Sequence, residues 1–322
     1  MGKADVYESD YLEKEEIFAD LVNGVLYQGR QVVKPQELRE QDTELRSISG
    51  NHVKKTIRDK VRLWKGTIFA VFAVENQTKV DYHMVLRTML SESMAYDRQW
   101  KKLRNQRISE KEKLAPDEFI SGMRKRDKLI PVITIVIYYG TDKPWDGART
   151  LYELLDTEGM EDHIIPYISN HQLNIFDFHD YDDFGQFHSE LRFVFEFLRY
   201  SEDRKKLAER MTKNREWYEK LSNQAKLLLA HLTNIKKILN VEDKDFRKGE
   251  FSMCKAFEDM EKKGRMDGRA EEIIETGREF HFAESKILER LQNKLNISME
   301  KAREYLIEFE DQSVSTQISL TE

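Results

Sequence analysis

The sequence predicts an α/β fold followed by a helical C-terminal region, and three observations predict it. Up to about Asp183, strand-like runs rich in Val, Ile and Phe alternate with segments of helical period. The stretch Leu129–Tyr139 is a run of Ile and Val broken only by Pro131 and Thr134, the mark of a strand buried on both faces. After Phe184 the apolar period is helical almost to the end.

The elements follow in order. Glu13–Leu26 reads as a helix with Ile17, Leu21 and Val25 on one face. Thr56–Trp64 and Thr67–Val74 read as strands. Val80–Leu103 reads as a long helix, because Val85, Leu86, Met89, Leu90 and Met94 recur at helical spacing. Leu173–Phe178 is a further short strand. Phe187–Tyr200 and Leu221–Leu239 are amphipathic helices, whereas Gly264 and Gly268 weaken helix in the charged stretch between them and the end. Leu288–Phe309 offers two short helices, with Asn296-Ile297-Ser298 as break and cap. The expected organisation is a sheet-containing domain over residues 1–183, a helical region over 184–311 and a flexible tail over 312–322.

Charge narrows the function classes. The 322 residues carry 53 Lys and Arg against 59 Asp and Glu, a formal charge of −6. A chain of that sign is not a generally basic nucleic-acid coat, so any nucleic-acid site has to be local. One segment qualifies: Arg98–Lys128 holds 11 basic and 5 acidic residues, while Asp142–Glu190 holds 2 basic and 12 acidic. The single cysteine, Cys254, excludes a disulfide framework and a Cys-rich zinc site. The acidic N-terminus is not a signal peptide, and the longest apolar stretch is about half a membrane span. A soluble, cytoplasmic protein with no membrane partner is expected.

Several motifs are absent: no Gly-rich phosphate loop, no H-E-x-x-H and no G-x-S-x-G occurs. The acidic run Asp177–Asp183 places Phe184 where a calcium loop needs oxygen, so it reads as a solvated loop.

The informative segment is Ile57–Gln77. It reads as a β-hairpin turning at Lys65-Gly66-Thr67. With the turn centred on Gly66 or Thr67, opposed residue numbers sum to about 132–134, and Asp59 falls opposite Ala73 or Glu75. Period-2 alternation then puts Asp59 and Glu75 at one end of a shared face. Like charges opposed across strands repel. A bound divalent cation offsets that repulsion, with the Asn76 carbonyl as a further oxygen donor. Solvated strand ends are the other reading.

A strand Asp followed by Glu-x-Lys or Glu-x-Gln on the next strand resembles the core of the PD-(D/E)xK nuclease superfamily, a restriction-endonuclease-like mixed sheet flanked by helices. More closely, four ordered segments resemble the recombination-promoting nuclease/putative transposase family. They are Phe18–Leu26, Arg58-Asp59 with Glu75-Asn76-Gln77, Leu129–Gly140 with Trp145-Asp146-Gly147, and Leu291–Ser298. The resemblance spans about residues 13–310. It implies Mg²⁺-dependent DNA hydrolysis, with Mn²⁺ as a substitute, Asp59 and Glu75 holding the metal, and Gln77 at the position where the superfamily has Lys. Gln can orient water or phosphate by hydrogen bonds but carries no charge. Arg87, on the helix after the hairpin, is a candidate for stabilising phosphorane charge, and a surface salt bridge is the alternative. Asp20 on the opening helix is the candidate further acid.

Lys101, Lys102, Arg104 and Arg107, with Arg124, Lys125 and Arg126, are the candidate DNA-contacting residues. Such contacts give salt-dependent affinity with little sequence preference. The expected function is therefore a metal-dependent DNA endonuclease in recombination or mobile-element biology. The rival is a relative that binds DNA or a protein without cutting, for which Gln77 leaves room. The C-terminal helices are a candidate homodimer surface.

Overall fold

The computed structural model describes residues 3–49, 52–57, 60–74, 80–161, 163–233 and 252–307. The chain divides into two compact units, Met1–Phe251 and Ser252–Glu322.

A five-stranded mixed sheet organises the first unit. Strand β1 is Arg39–Glu40; β2 (Glu44–Ser49) and β3 (His52–Ile57) form a separate hairpin; β4 (Lys60–Trp64), β5 (Thr67–Val74), β6 (Val132–Tyr138) and β7 (Asn174–Asp177) complete the sheet in the order β1-β4-β5-β6-β7. The pairs β1–β4 and β4–β5 are antiparallel, and β5–β6 and β6–β7 are parallel. This is the expected α/β arrangement of a mixed sheet with helices around it, followed by a helical C-terminal region. The expected single strand over Thr56–Trp64 is divided, since residues 52–57 pair with β2 and residues 60–64 with β5.

The helices of this unit are α1 (Lys3–Tyr11), α2 (Glu15–Tyr27), α3 (Met84–Ser109), α4 (Pro116–Ser121), α5 (Leu191–Tyr200), α6 (Arg204–Lys213), α7 (Arg215–Glu219) and α8 (Asn223–Leu232). Helix α3 covers one face of the sheet: Met84 and Val85 pack with Val136 and Tyr138, and Met94 and Ala95 pack with Val132. It therefore runs antiparallel to β6. Short β7 leaves the first half of β6 uncovered, and α3 closes that edge. The Tyr96 hydroxyl accepts from the Val132 amide at 3.1 Å, and Glu92 accepts from the Thr134 amide at 3.2 Å.

The other face is sealed by aromatic residues. Phe195 of α5 lies 4.5 Å from the Phe176 ring of β7 and 5.0 Å from Phe187, centroid to centroid. The sheet-bearing unit thus extends well beyond residue 183, because helices after that point supply its second hydrophobic layer. Helix α2 approaches Phe187 so closely that only glycine fits at position 24: a Cβ there would sit 2.2 Å from the ring.

The second unit contains α9 (Met253–Glu279), α10 (Glu284–Leu295) and a further helix, α11 (299–307). Helix α9 runs unbroken through Gly264 and Gly268, where the sequence suggested weakness. Ala270 and Ile274 bury against Ile287, Leu291 and Tyr305, and that packing outweighs the glycine penalty. Asn296 adopts the left-handed conformation as the C-cap of α10, as its place in the break suggested. No helix of the described residues is long and apolar enough to cross a membrane.

Two substitutions separate close packing from open space. Gly24→Ala forces a methyl into the Phe187 ring and should cost about 1–3 kcal/mol in urea denaturation. Gly268→Ala meets nothing within 4 Å inside a helix and should stabilise the second unit by about 0.5–1 kcal/mol. Equal effects of the two would contradict this packing.

Candidate functional site

The hairpin β4–β5 turns through two residues, Lys65 and Gly66, at φ of 41° and 78°. Positive φ at both positions is what a tight type I′ turn requires. Its register pairs Lys60 with Val71 and Trp64 with Thr67, so opposed numbers sum to 131 instead of the expected 132–134. The odd sum changes the parity. Arg62 shares its face with Phe69, and the odd-numbered residues of β4 no longer share a face with those of β5. The physical reason is the turn, which is one residue tighter than a turn centred on Gly66.

Asp59, Glu75, Asn76 and Gln77 lie outside the described residues. Their neighbours do not: Asp59 precedes Lys60, the first residue of β4, and Glu75 follows Val74, the last of β5. Lys60 and Arg62 reach Glu13, just before α2. Lys60 pairs with its carboxylate, and the buried Arg62 guanidinium donates to its backbone oxygen at 3.3 Å. These contacts hold the Glu13 carboxyl below its ordinary pKa, the Lys60 hydrogen bond being the largest cause.

Across the sheet, Val74 is in register with Tyr138, and Tyr138 with Asp177. This row marks the C-terminal end of the parallel strands, where open α/β sheets place their ligands. Arg87 lies towards this end, one turn into α3, and pairs with Asp81 at 3.6 Å. Tyr138, Tyr139 and Trp145 are buried and pack within the unit.

Asp20 is buried rather than facing solvent. Its two oxygens accept from the His188 amide at 2.9 and 3.0 Å, the Ser189 amide at 2.8 Å and the Ser189 hydroxyl at 2.6 Å. The carboxylate ties α2 to the segment entering α5, so its visible work is structural.

The sequence places Asp177 in a solvated loop, whereas the structure buries it. It is fully buried and accepts from the Trp145 amide at 2.7 Å, the His179 amide at 2.9 Å and His179 Nδ1 at 2.7 Å. It anchors the loop after β6. The signal was available: Asp177 ends an apolar strand and precedes the turn Phe178–Asp180, a capping position.

The basic residues do not gather at the Val74–Tyr138–Asp177 end. Helix α3 carries them away, since Tyr96 meets Val132 and Gln99 meets Ile130 at the start of β6. The six steps from Val132 to Tyr138 span about 20 Å. Arg107 is buried, bonded to Asp127 at 2.7 Å and to the Gly122 carbonyl at 3.1 Å, and so is withdrawn from phosphate contact. Arg124 is held by Glu112 at 2.6 Å. Lys101 pairs with Asp97, and Arg104 lies over Trp100. Lys102, Lys125 and Arg126 are exposed, with no ion pair among the described residues. A group of three or more His, Cys, Asp or Glu able to hold a metal does not occur among the described residues.

A family profile described as "Putative transposase, YhgA-like" matches residues 51–228, more than half of the chain. The chain belongs to this family. Nothing among curated proteins or solved structures matches the chain. The YhgA-like transposase profile covers β3 through α8 and so includes the hairpin, α3, β6 and β7. Membership associates the protein with mobile elements and with DNA.

The Asp177 anchor predicts a pH signature. Burial alone would raise its pKa, and the bonds from His179 and the two amides outweigh burial, leaving the carboxyl below its ordinary value. A carboxyl lowered on folding contributes stability that is complete above the unfolded value, about 3.9, and is lost as pH falls through the folded one. Asp177→Asn should therefore cost about 1–3 kcal/mol at neutral pH. In denaturant melts the gap to wild type should narrow below about pH 4. A gap constant down to pH 3 would refute the anchoring role.

Proposed function

We propose that the protein is a metal-dependent DNA endonuclease of low sequence specificity acting in mobile-element or recombination biology. What supports this most is membership of the putative transposase family, whose profile spans residues 51–228 and so takes in Asp59 and Glu75, the sequence neighbours of the start of β4 and the end of β5. Two carboxylates and the Asn76 carbonyl are hard oxygen donors, a set suited to Mg²⁺ or to Mn²⁺ in its place. Such an ion supplies charge neutralisation and an activated water for phosphodiester hydrolysis. Gln77 orients that water or a phosphate oxygen through its amide. Arg87, towards the same end of the sheet, is the candidate for contacting phosphate.

One observation favours a second reading, a relative that binds DNA without cutting. The β4–β5 register has odd parity, so a regular pleat would send Asp59 and Glu75 to opposite faces. Cleavage requires a change of parity beyond Lys60 or Val74.

Nicking of supercoiled plasmid distinguishes the two. With Mg²⁺ the wild type should nick, and both Asp59→Ala and EDTA should reduce the rate by at least about a hundredfold, or ~2.7 kcal/mol. DNA binding without nicking in Mg²⁺ or Mn²⁺ would select the second reading.

A further inference from the structure

A cleft of about 1130 Å³ opens between α3 and the starts of β5 and β6, at the other end of the sheet from the Val74–Tyr138–Asp177 row. Its walls carry Arg98, Lys101 and Lys102 from α3 and Lys128 from the chain before β6, and Asp42 is the one acidic residue lining it among the described residues. Arg98 is fixed by Asp42 at 2.8 Å and by the Glu44 carbonyl at 3.1 Å, whereas Lys102 and Lys128 have no ion pair among the described residues. The positions 98, 101, 102 and 105 recur at i, i+3, i+4 and i+7, which is one face of a helix. From Arg98 to Lys102 the helix rises about 6 Å. Ile68, Leu103 and Ile130 give the cleft an apolar part of its lining, beside the polar Gln99 and Asn105.

Cations beside apolar lining match a single nucleic-acid strand. Its phosphates meet the cations, and its unpaired bases and sugars cover the apolar lining. A duplex keeps its bases inside and offers this cleft only phosphates, leaving the apolar lining without a partner. We propose that the cleft holds a single-stranded segment of the DNA substrate, so that the substrate is a duplex bearing a single-stranded tail. This inference rests on the DNA-directed reading above. The cleft begins at Ile68, six residues along β5 from Val74, or about 20 Å. Even at the stacked duplex spacing of about 3.4 Å per nucleotide, a tail of about six nucleotides bridges that distance.

The test is fluorescence anisotropy with the full chain in EDTA, which suppresses cleavage. Three probes share one duplex: blunt, with a two-nucleotide tail, and with a tail of about ten nucleotides that exceeds the required span. The long tail should tighten binding by about tenfold, ~1.4 kcal/mol, and the short tail should not. Lys102→Glu with Lys128→Glu should abolish that gain. Ile130→Ser should reduce it while circular dichroism shows the fold retained, since Ile130 engages Gln99 through its backbone. Equal affinity for blunt and long-tailed probes would overturn the proposal, as would a charge reversal that weakens both probes by the same factor. Failure of the endonuclease reading shows separately, as absent nicking beside an intact tail-dependent gain.

Discussion

Strand β6 is the constraint on which the rest of the first unit depends. Its residues are almost uniformly Ile, Val and Tyr, and both of its faces are buried. A strand of that kind needs a neighbour on each side and a layer above and below. β5 and β7 provide the neighbours, α3 one layer, and the aromatic residues of α5 and its approach the other. Because β5 and β6 are parallel, the chain must return along the sheet between them, and α3 is that return. The antiparallel orientation of α3 and β6 then carries the basic stretch away from the end of β5, although the two lie close in sequence.

Charges that look available in the sequence are largely spent on holding this arrangement together. Asp20 fixes α2 to the entrance of α5, Asp177 fixes the loop after β6, and Arg107 fixes the chain after α3 through Asp127 and Gly122. Each is a buried charge satisfied by several donors or acceptors, the condition under which burying one is tolerated. In the basic segment, the cations without an ion pair among the described residues include Lys102 and Lys128, which line the cleft, and Lys125 and Arg126 on the surface. Local balance, not net charge, decides where an anionic partner fits.

The legible part of the fold was the part written in local periodicity. The long helix, the doubly buried strand, the hairpin and the C-terminal break at Asn296 all carry signals within a few residues. The hairpin register was not legible, because a turn at Lys65-Gly66 and one centred half a residue later are both compatible with the apolar residues of the two strands. The division of Thr56–Trp64 between two hairpins was hidden for a similar reason: β-propensity continues across it, and only pairing partners distinguish the halves. Of the candidate site residues, Arg87 lies towards the end of the sheet where β5 stops. Asp20 and Arg107 turn out to be buried ties.

By itself the sequence determined the element types, the two-sided burial of β6, the local basic segment and the family to which the chain belongs. These follow from residue period, composition and ordered motifs, all read along the chain. Tertiary structure alone decided which charges are sequestered, which end of the sheet each reaches, and that cations of α3 border a cleft with apolar lining. Those properties depend on strand order and on helix direction, which bring residues 42, 68, 102 and 128 together. No local pattern encodes that proximity, because it results from how separate hydrophobic faces are covered in one unit.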